Sequence, residues 1–180
     1  MRVISGIARG TILKSPDNMK TRPTADRVKE AMFSILQFDL PGAKILDLFA
    51  GTGQLGVEAL SRGASKTVFV DEDAAACNVI RENLRRTHFD ELGKVVRSDY
   101  VSYLRSYEEK FDIIILDPPY AQFFLENALN IISEIDILQS GGIIVTERPL
   151  NKELSLLPVG FERSKDYKYG NTLLTLYRKV

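Results

Sequence analysis

One cysteine and one histidine are all that these 180 residues offer to the chemistries built on those side chains. Cys77 alone excludes an intramolecular disulfide and a cysteine-built metal site, so a reducing compartment, the cytoplasm, is expected. It reads as a small core residue. His88 alone supplies neither a zinc cluster nor a Ser-His-Asp triad, and reads as a surface or helix-end residue. No metal is expected. No apolar run approaches the roughly eighteen residues of a membrane span, and the first residues lack the hydrophobic region of a signal peptide, so a soluble, unexported protein is expected. Net charge is absent too, with 24 basic residues against 24 acidic ones. Charge summed over the molecule argues neither for nor against a polyanionic partner, and any electrostatic footprint must be local. One footprint is visible in residues 1–30. There Arg2, Arg9, Lys14, Lys20, Arg22, Arg27 and Lys29 meet Asp17, Asp26 and Glu30, seven minus three, or net +4.

What is present is a hydrophobic content of 44%, enough to bury the core of one domain over residues 1–180. Arg2 to Ser5 and Thr11 to Lys14 alternate around Gly6 and Gly10, which predicts a small hairpin with a basic outer face, and 1–23 reads as that hairpin plus a loop. Thr24 is a fair N-cap for a leading helix over 24–40. Val28, Ala31, Met32, Ile35 and Leu36 form its buried stripe, and Arg27, Lys29 and Glu30 are expected to face elsewhere. From Lys44 the pattern alternates. Short apolar runs at Ile45 to Ala50, Thr67 to Val70, Lys94 to Arg97, Phe111 to Leu116 and Ile143 to Thr146 are separated by helical patterns such as Asp73 to Arg86 and Phe123 to Glu134. Such alternation predicts a parallel sheet covered by helices on both faces. Phe161 to Tyr167 and Thr172 to Lys179, joined through Gly170-Asn171, predict a closing antiparallel hairpin. The expectation is an α/β, Rossmann-like core over 44–180 with a mostly parallel, seven-stranded sheet.

Two stretches carry chemistry. Asp47-Leu48-Phe49-Ala50-Gly51-Thr52-Gly53-Gln54-Leu55-Gly56 leads from a strand into a helix, with glycines where a backbone can approach a ligand closely. Asp71 lies 20 residues beyond Gly51, the usual place of a ribose-binding acid, so a nicotinamide dinucleotide is one reading. Asp47 favours another. A carboxylate beside the turn repels a pyrophosphate but suits a cationic amino-acid moiety such as that of S-adenosylmethionine. The strand ends deliver an acid in succession, Asp47, Asp71, Asp99 and Asp117. We place Asp47 near the methionine ammonium, Asp71 on the ribose, Asp99 with Tyr100 near the adenine, and Asp117 towards the substrate, noting that Ser98-Asp99 also suits a helix cap.

The second stretch, Asp117-Pro118-Pro119-Tyr120, follows the buried run Ile113 to Leu116. Neither proline has an N–H to donate, so the ladder must end, and the residues before each proline are held extended with free carbonyl oxygens. An exocyclic base amine is a poor nucleophile because its lone pair is delocalised into the ring. Acceptors on both amino hydrogens, Asp117 and the Pro118 carbonyl, would favour a pyramidal nitrogen and stabilise its growing positive charge. Tyr120 can stack on an unstacked base. The pattern selects a planar amine or amide nitrogen, which leaves DNA adenine, protein glutamine and RNA bases open. A nicotinamide-dependent oxidoreductase and a non-catalytic RNA-binding module are the readings from other classes.

The two stretches together resemble class I S-adenosylmethionine-dependent amino-methyltransferases. Arg2-Val3-Ile4-Ser5-Gly6, Arg9-Gly10, Thr21-Arg22-Pro23-Thr24 with Asp26-Arg27-Val28, Glu58-Ala59-Leu60-Ser61-Arg62-Gly63-Ala64 and Tyr169-Gly170-Asn171-Thr172 resemble specifically the bacterial 16S ribosomal RNA guanine-N2 methyltransferases called the RsmD family. Gln54 departs from the pattern, where a small residue is expected. The resemblance implies methylation of a guanine N2 in 16S ribosomal RNA, with the small subunit or an assembly intermediate as partner; a monomer is expected. It also implies a cofactor set of Asp47, Phe49, Ala50, Gly51, Gly53, Asp71, Glu72, Asp99, Tyr100 and Asp117. Asp117, Pro118 and Tyr120 would be catalytic, and Arg9, Lys20, Arg22, Arg27 and Tyr120 would contact RNA.

Overall fold

The computed structural model describes residues 1–15, 23–119, 122–151, 154 and 159–180, with the backbone alone at 23–25 and 122. After a short N-terminal segment come α1 (Pro23–Ile35), β1 (Lys44–Asp47), α2 (Gln54–Ser61), β2 (Lys66–Asp71), α3 (Ala74–Thr87) and β3 (Gly93–Arg97). They are followed by α4 (Tyr100–Arg105), β4 (Phe111–Leu116), α5 (Gln122–Glu134), β5 (Leu138–Pro149), β6 (Phe161–Tyr169) and β7 (Thr172–Lys179). The sheet has seven strands in the order β3-β2-β1-β4-β5-β7-β6. The first five run parallel, and β7 enters antiparallel between β5 and β6. Strand order reverses at β1, which pairs with both β2 and β4. Ligands of such sheets bind outside the carboxyl ends at this reversal.

Strand alternation divides the core in two. Ile45, Ile113, Ile115, Ile143, Val145 and Leu174 point towards α1, α2 and α3. Leu46, Leu48, Ile114, Leu116, Ile144 and Tyr177 point towards α4 and α5. Because both faces are covered, the central strands read as continuous apolar runs. Helix α2 lies unusually near the sheet. A Cβ at Gly56 would sit 2.2 Å from the Phe69 ring and 2.8 Å from Thr67 Cγ2, so only glycine fits there.

Several boundaries differ from expectation. β1 ends at Asp47, three residues early, because the chain turns at the glycine loop; Leu48 N–H still donates to Ile115 O (3.2 Å) and Ala50 N–H to Val70 O (3.0 Å). β5 begins at Leu138 rather than Ile143, passing an irregularity opposite Phe111 to Ile113. α4 has only six residues, too few for a helical period to show. The leading helix starts at Pro23 and ends at Ile35. Cys77 is buried, and His88, exposed at φ 60, ends α3 as read. No helix among the described residues is long and apolar enough to cross a membrane.

The N-terminal hairpin is short, with one antiparallel bridge, Arg2↔Ile12, and backbone bonds from Val3 N–H to Thr11 O (3.0 Å), Gly10 N–H to Val3 O (2.9 Å) and Leu13 N–H to Met1 O (3.0 Å), and the core holds it as well. Glu58, fully buried on α2, accepts the N–H groups of Ile4 (2.8 Å) and Ser5 (3.0 Å) and Nε of Arg62 (2.8 Å). Ser61 Oγ accepts Ala8 N–H (3.0 Å) and donates to Ser5 O (2.6 Å). Lys29 departs from the outward orientation expected of it. It is 2% exposed, its Nζ donates to Arg2 O (3.0 Å) and lies 4.0 Å from Glu58. Burial pulls its pKa down, while Glu58 and Asp26 oppose that shift. Periodicity misses this because a buried lysine needs a partner 29 residues away. Glu58→Ala should lower unfolding free energy by about 3–5 kcal/mol, since it strands Lys29 and two backbone donors. Adding Lys29→Met should recover part of the loss. Denaturant unfolding is the check, and a loss below about 1 kcal/mol would refute the anchoring role.

Candidate active site

Four carboxylates meet at the carboxyl ends of β1, β2, β4 and β5. Asp47 is 1% exposed, and its Oδ2 accepts Gly56 N–H (3.1 Å), which ties the end of β1 to the first turn of α2. Its Oδ1 is buried with no donor among the described residues. Burial pushes the Asp47 carboxyl up to about 7; Gly56 N–H opposes that, while the charges of Asp117 and Asp71 add to it. Asp71 braces the other side of the loop, with Oδ2 accepting Gly51 N–H (2.8 Å) and Oδ1 accepting Asp73 N–H (2.9 Å). Gly51, at φ 54, has open space where a Cβ would project, so ligand can approach its backbone. Gly53 N–H closes the turn on Ala50 O (2.7 Å).

The opposite wall is aromatic. Phe49 and Tyr100 have ring centroids 5.2 Å apart, and Phe124 stands edge-on to both, at 6.5 Å and 5.8 Å. Asn127 Nδ2 donates to the Tyr100 hydroxyl (2.7 Å) and fixes the ring. Asp99 stands apart from this wall in role. Its Oδ1 accepts Ser102 N–H (2.9 Å) at the start of α4, and its hydrogen bonds with Ser102 hold the exposed carboxyl below the usual carboxylate range. It is a helix cap, and Tyr100 is the residue turned towards the aromatic wall. Glu72 is exposed, with its carbonyl accepting Arg97 Nε (3.2 Å).

Asp117 follows β4 and is partly buried with no hydrogen-bond or ion-pair partner among the described residues. Glu147 is the same on β5. Burial raises both carboxyls above the ordinary range, and the Asp117 charge raises Glu147 further. Pro118 is partly buried and Pro119 exposed; Tyr120 lies outside the described residues. Glu147 was missed, although it directly follows the apolar run Ile143 to Thr146 and so carries the signal that found Asp71 and Asp117. Phe124 and Asn127 were missed because one helix turn gives no sign of which residues meet Phe49 and Tyr100.

The basic residues separate. Arg27 is exposed on the second turn of α1, and because that helix leads down to the start of β1, its early turns lie towards the end where the parallel strands finish. Arg9 is exposed on a turn held by Ser61, at the far end of α2 from the glycine loop, roughly 10 Å along that helix. Neither guanidinium has a partner among the described residues. Lys20 and Arg22 lie outside them. A cleft lined by Asp39, Gly42, Asp112 and Gly141 opens at the opposite end of the strands, remote from the acids.

The family profile described as Conserved hypothetical protein 95 matches residues 1–178. The Bacillus subtilis protein YlbH is 37% identical over 182 residues, covering 99% of each chain. Ribosomal RNA small subunit methyltransferase D of Escherichia coli K12 is 31% identical over 179 residues, covering 99% of this chain and 90% of its own. The solved structure of the Escherichia coli protein yhhF superposes with a TM-score of 0.89 at 30% identity, covering 99% of this chain and 97% of that one. The chain therefore belongs to the Conserved hypothetical protein 95 family, the RsmD-like class I methyltransferases.

Proposed function

We propose that this chain transfers a methyl group from S-adenosylmethionine to the exocyclic N2 amine of a guanine in 16S ribosomal RNA, within the small subunit or an assembly intermediate. The observation that carries the reading is the pairing of two half-sites at one edge of the sheet. The glycine turn braced by Asp47 and Asp71 faces one way, and Asp117 with the Pro118 carbonyl offers acceptors that no described residue occupies. A cytoplasmic monomer is part of this reading.

S-adenosylmethionine, when bound, supplies a methyl group on a positively charged sulfur. The residues present fit it. The unpaired Asp47 Oδ1 is an acceptor suited to an ammonium, and a pyrophosphate there would meet a buried carboxylate instead. Asp71 keeps lone pairs for ribose hydroxyls, and the ring wall of Phe49 and Tyr100 suits an adenine. Asp117 and the Pro118 carbonyl accept the two hydrogens of the amine, which aims its lone pair and stabilises the charge it gains. The methylated amine must lose a proton. Asp117, raised by burial above its ordinary range, is placed to take it. Arg9 and Arg27 would meet phosphates, Arg27 beside the target base and Arg9 farther along the RNA.

Transfer of label from S-adenosylmethionine to undermethylated small subunits tests the reading, with one guanine of 16S ribosomal RNA marked; transfer only to DNA or protein would sink it. Asp117→Asn should cut that rate by about a hundredfold or more. Cofactor affinity should stay within about tenfold of the parent's. Equal turnover by the variant would refute the role given to Asp117.

Asp47 makes cofactor binding pH-dependent. Its carboxyl lies near 7 in the fold against 3.8 unfolded, so the proton-linked stability present at low pH is lost as pH rises through about 7. A cation on Oδ1 favours the ionised form. Affinity for S-adenosylmethionine should therefore rise from about pH 5.5 to about pH 8, with proton release visible by calorimetry. Asp47→Asn should flatten that rise, and a parent affinity that is level across the range would contradict the assignment.

Replacing Arg9 and Arg27 with alanine should weaken RNA binding and reduce its salt slope by about one for each phosphate that is no longer neutralised, with cofactor affinity unchanged. An unaltered slope would remove both residues from the RNA surface.

A further inference from the structure

Glu147 stands in the site with no role assigned above. The parallel register Leu116↔Thr146 brings β4 and β5 side by side, and the next step along both strands sets Asp117 beside Glu147. Neighbouring strands lie roughly 4.8 Å apart, so the two carboxylates are neighbours. Both also leave the sheet on the same face. Ile143 and Val145, four and two residues before Glu147, point towards α1 and α2, as does Leu174, its ladder partner on β7. Ile113 and Ile115 set the same alternation for Asp117, and Ile45 sets it for Asp47. Three acids on the adjacent strands β1, β4 and β5 thus face one side of the carboxyl edge.

The position is costly for the protein alone. Glu147 and Asp117 are each partly buried, and neither accepts a hydrogen bond from a described residue. Uncompensated acceptors in such a place destabilise the fold unless a ligand brings donors. Asp117 and the Pro118 carbonyl already account for the two hydrogens of the target amine. Glu147 is one acceptor more.

A third acceptor next to an amine cradle distinguishes among planar amines. Guanine carries N1–H directly beside its N2 amine, so its edge presents three hydrogens. Adenine and cytosine present a ring lone pair beside their amines, and the amide of glutamine has no neighbouring ring donor. An ionised carboxylate accepts from guanine N1–H and repels a ring lone pair; burial and the Asp117 charge push the unliganded Glu147 carboxyl up to about 8, and the N1–H donor of guanine favours its ionised form. We propose that Glu147 selects guanine, its carboxylate accepting N1–H of the base whose N2 amine faces Asp117. This rests on the methyl-transfer reading above and adds to it the residue that sets base choice.

The test compares small subunits reconstituted on 16S ribosomal RNA with guanine or 2,6-diaminopurine at the methylated position. Diaminopurine keeps the N2 amine but has a lone pair at N1. The parent enzyme should prefer guanine in kcat/KM by about tenfold or more. Glu147→Gln, whose amide can present either an acceptor or a donor, should bring that preference within about threefold, while cofactor affinity and Tm match or exceed the parent's. Glu147→Ala should lose the preference as well. If both variants lower the rates on the two RNAs alike and leave their ratio unchanged, Glu147 does not read the base and the proposal falls. A parent that methylates both purines equally would also overturn it while leaving the methyl-transfer reading standing. A parent that methylates neither would overturn the methyl-transfer reading and this inference together.

Discussion

The glycine turn between β1 and α2 depends on two carboxylates that close on backbone N–H groups from either side. Asp47 holds Gly56 and Asp71 holds Gly51, so the loop is clamped to the ends of β1 and β2. The clamp follows from the close approach of α2 to the sheet. Gly56 has no room for a Cβ against Phe69, and only with α2 so near does its N–H come within 3.1 Å of Asp47. Everything proposed for the cofactor rests on this geometry, because the same carboxylates that shape the loop present the remaining acceptors to the ligand.

The site concentrates negative charge where the strand order reverses. Asp47 responds by rising to about 7, and Asp117 and Glu147 also rise. Such crowding is destabilising in the unliganded protein, and it is relieved by a ligand that carries cations and hydrogen-bond donors. A sulfonium with an ammonium, followed by an amine that becomes cationic as it reacts, matches that demand on both halves of the site. The N-terminal segment contributes in a different way. Glu58, Lys29 and Ser61 pin it to α1 and α2, so Arg9 is displayed on a rigid turn.

Much of this was legible in the sequence. The alternation of apolar runs and helical stripes gave the seven strands and their mostly parallel arrangement, because each central strand is buried on both faces. Asp47, Asp71 and Asp117 were legible because an acid directly after a buried run has one place to go. Asp99 satisfied the same rule and became a helix cap, since Ser102 N–H is three residues away and no long-range partner competes. Glu147 carried the same signal, an acid directly after the run Ile143 to Thr146, but its pairing with Asp117 is set by the β4–β5 register, and Lys29 is buried beside Glu58 by the α1–α2 packing; local periodicity carries no trace of either partner.

The central claim is that Asp117 and its neighbours methylate one ribosomal guanine. Mass-spectrometric mapping of 16S ribosomal RNA from cells lacking the protein tests it most directly. The account predicts that one N2-methylguanine disappears and returns with the parent gene but not with Asp117→Ala. A methylation pattern identical with and without the protein would contradict it.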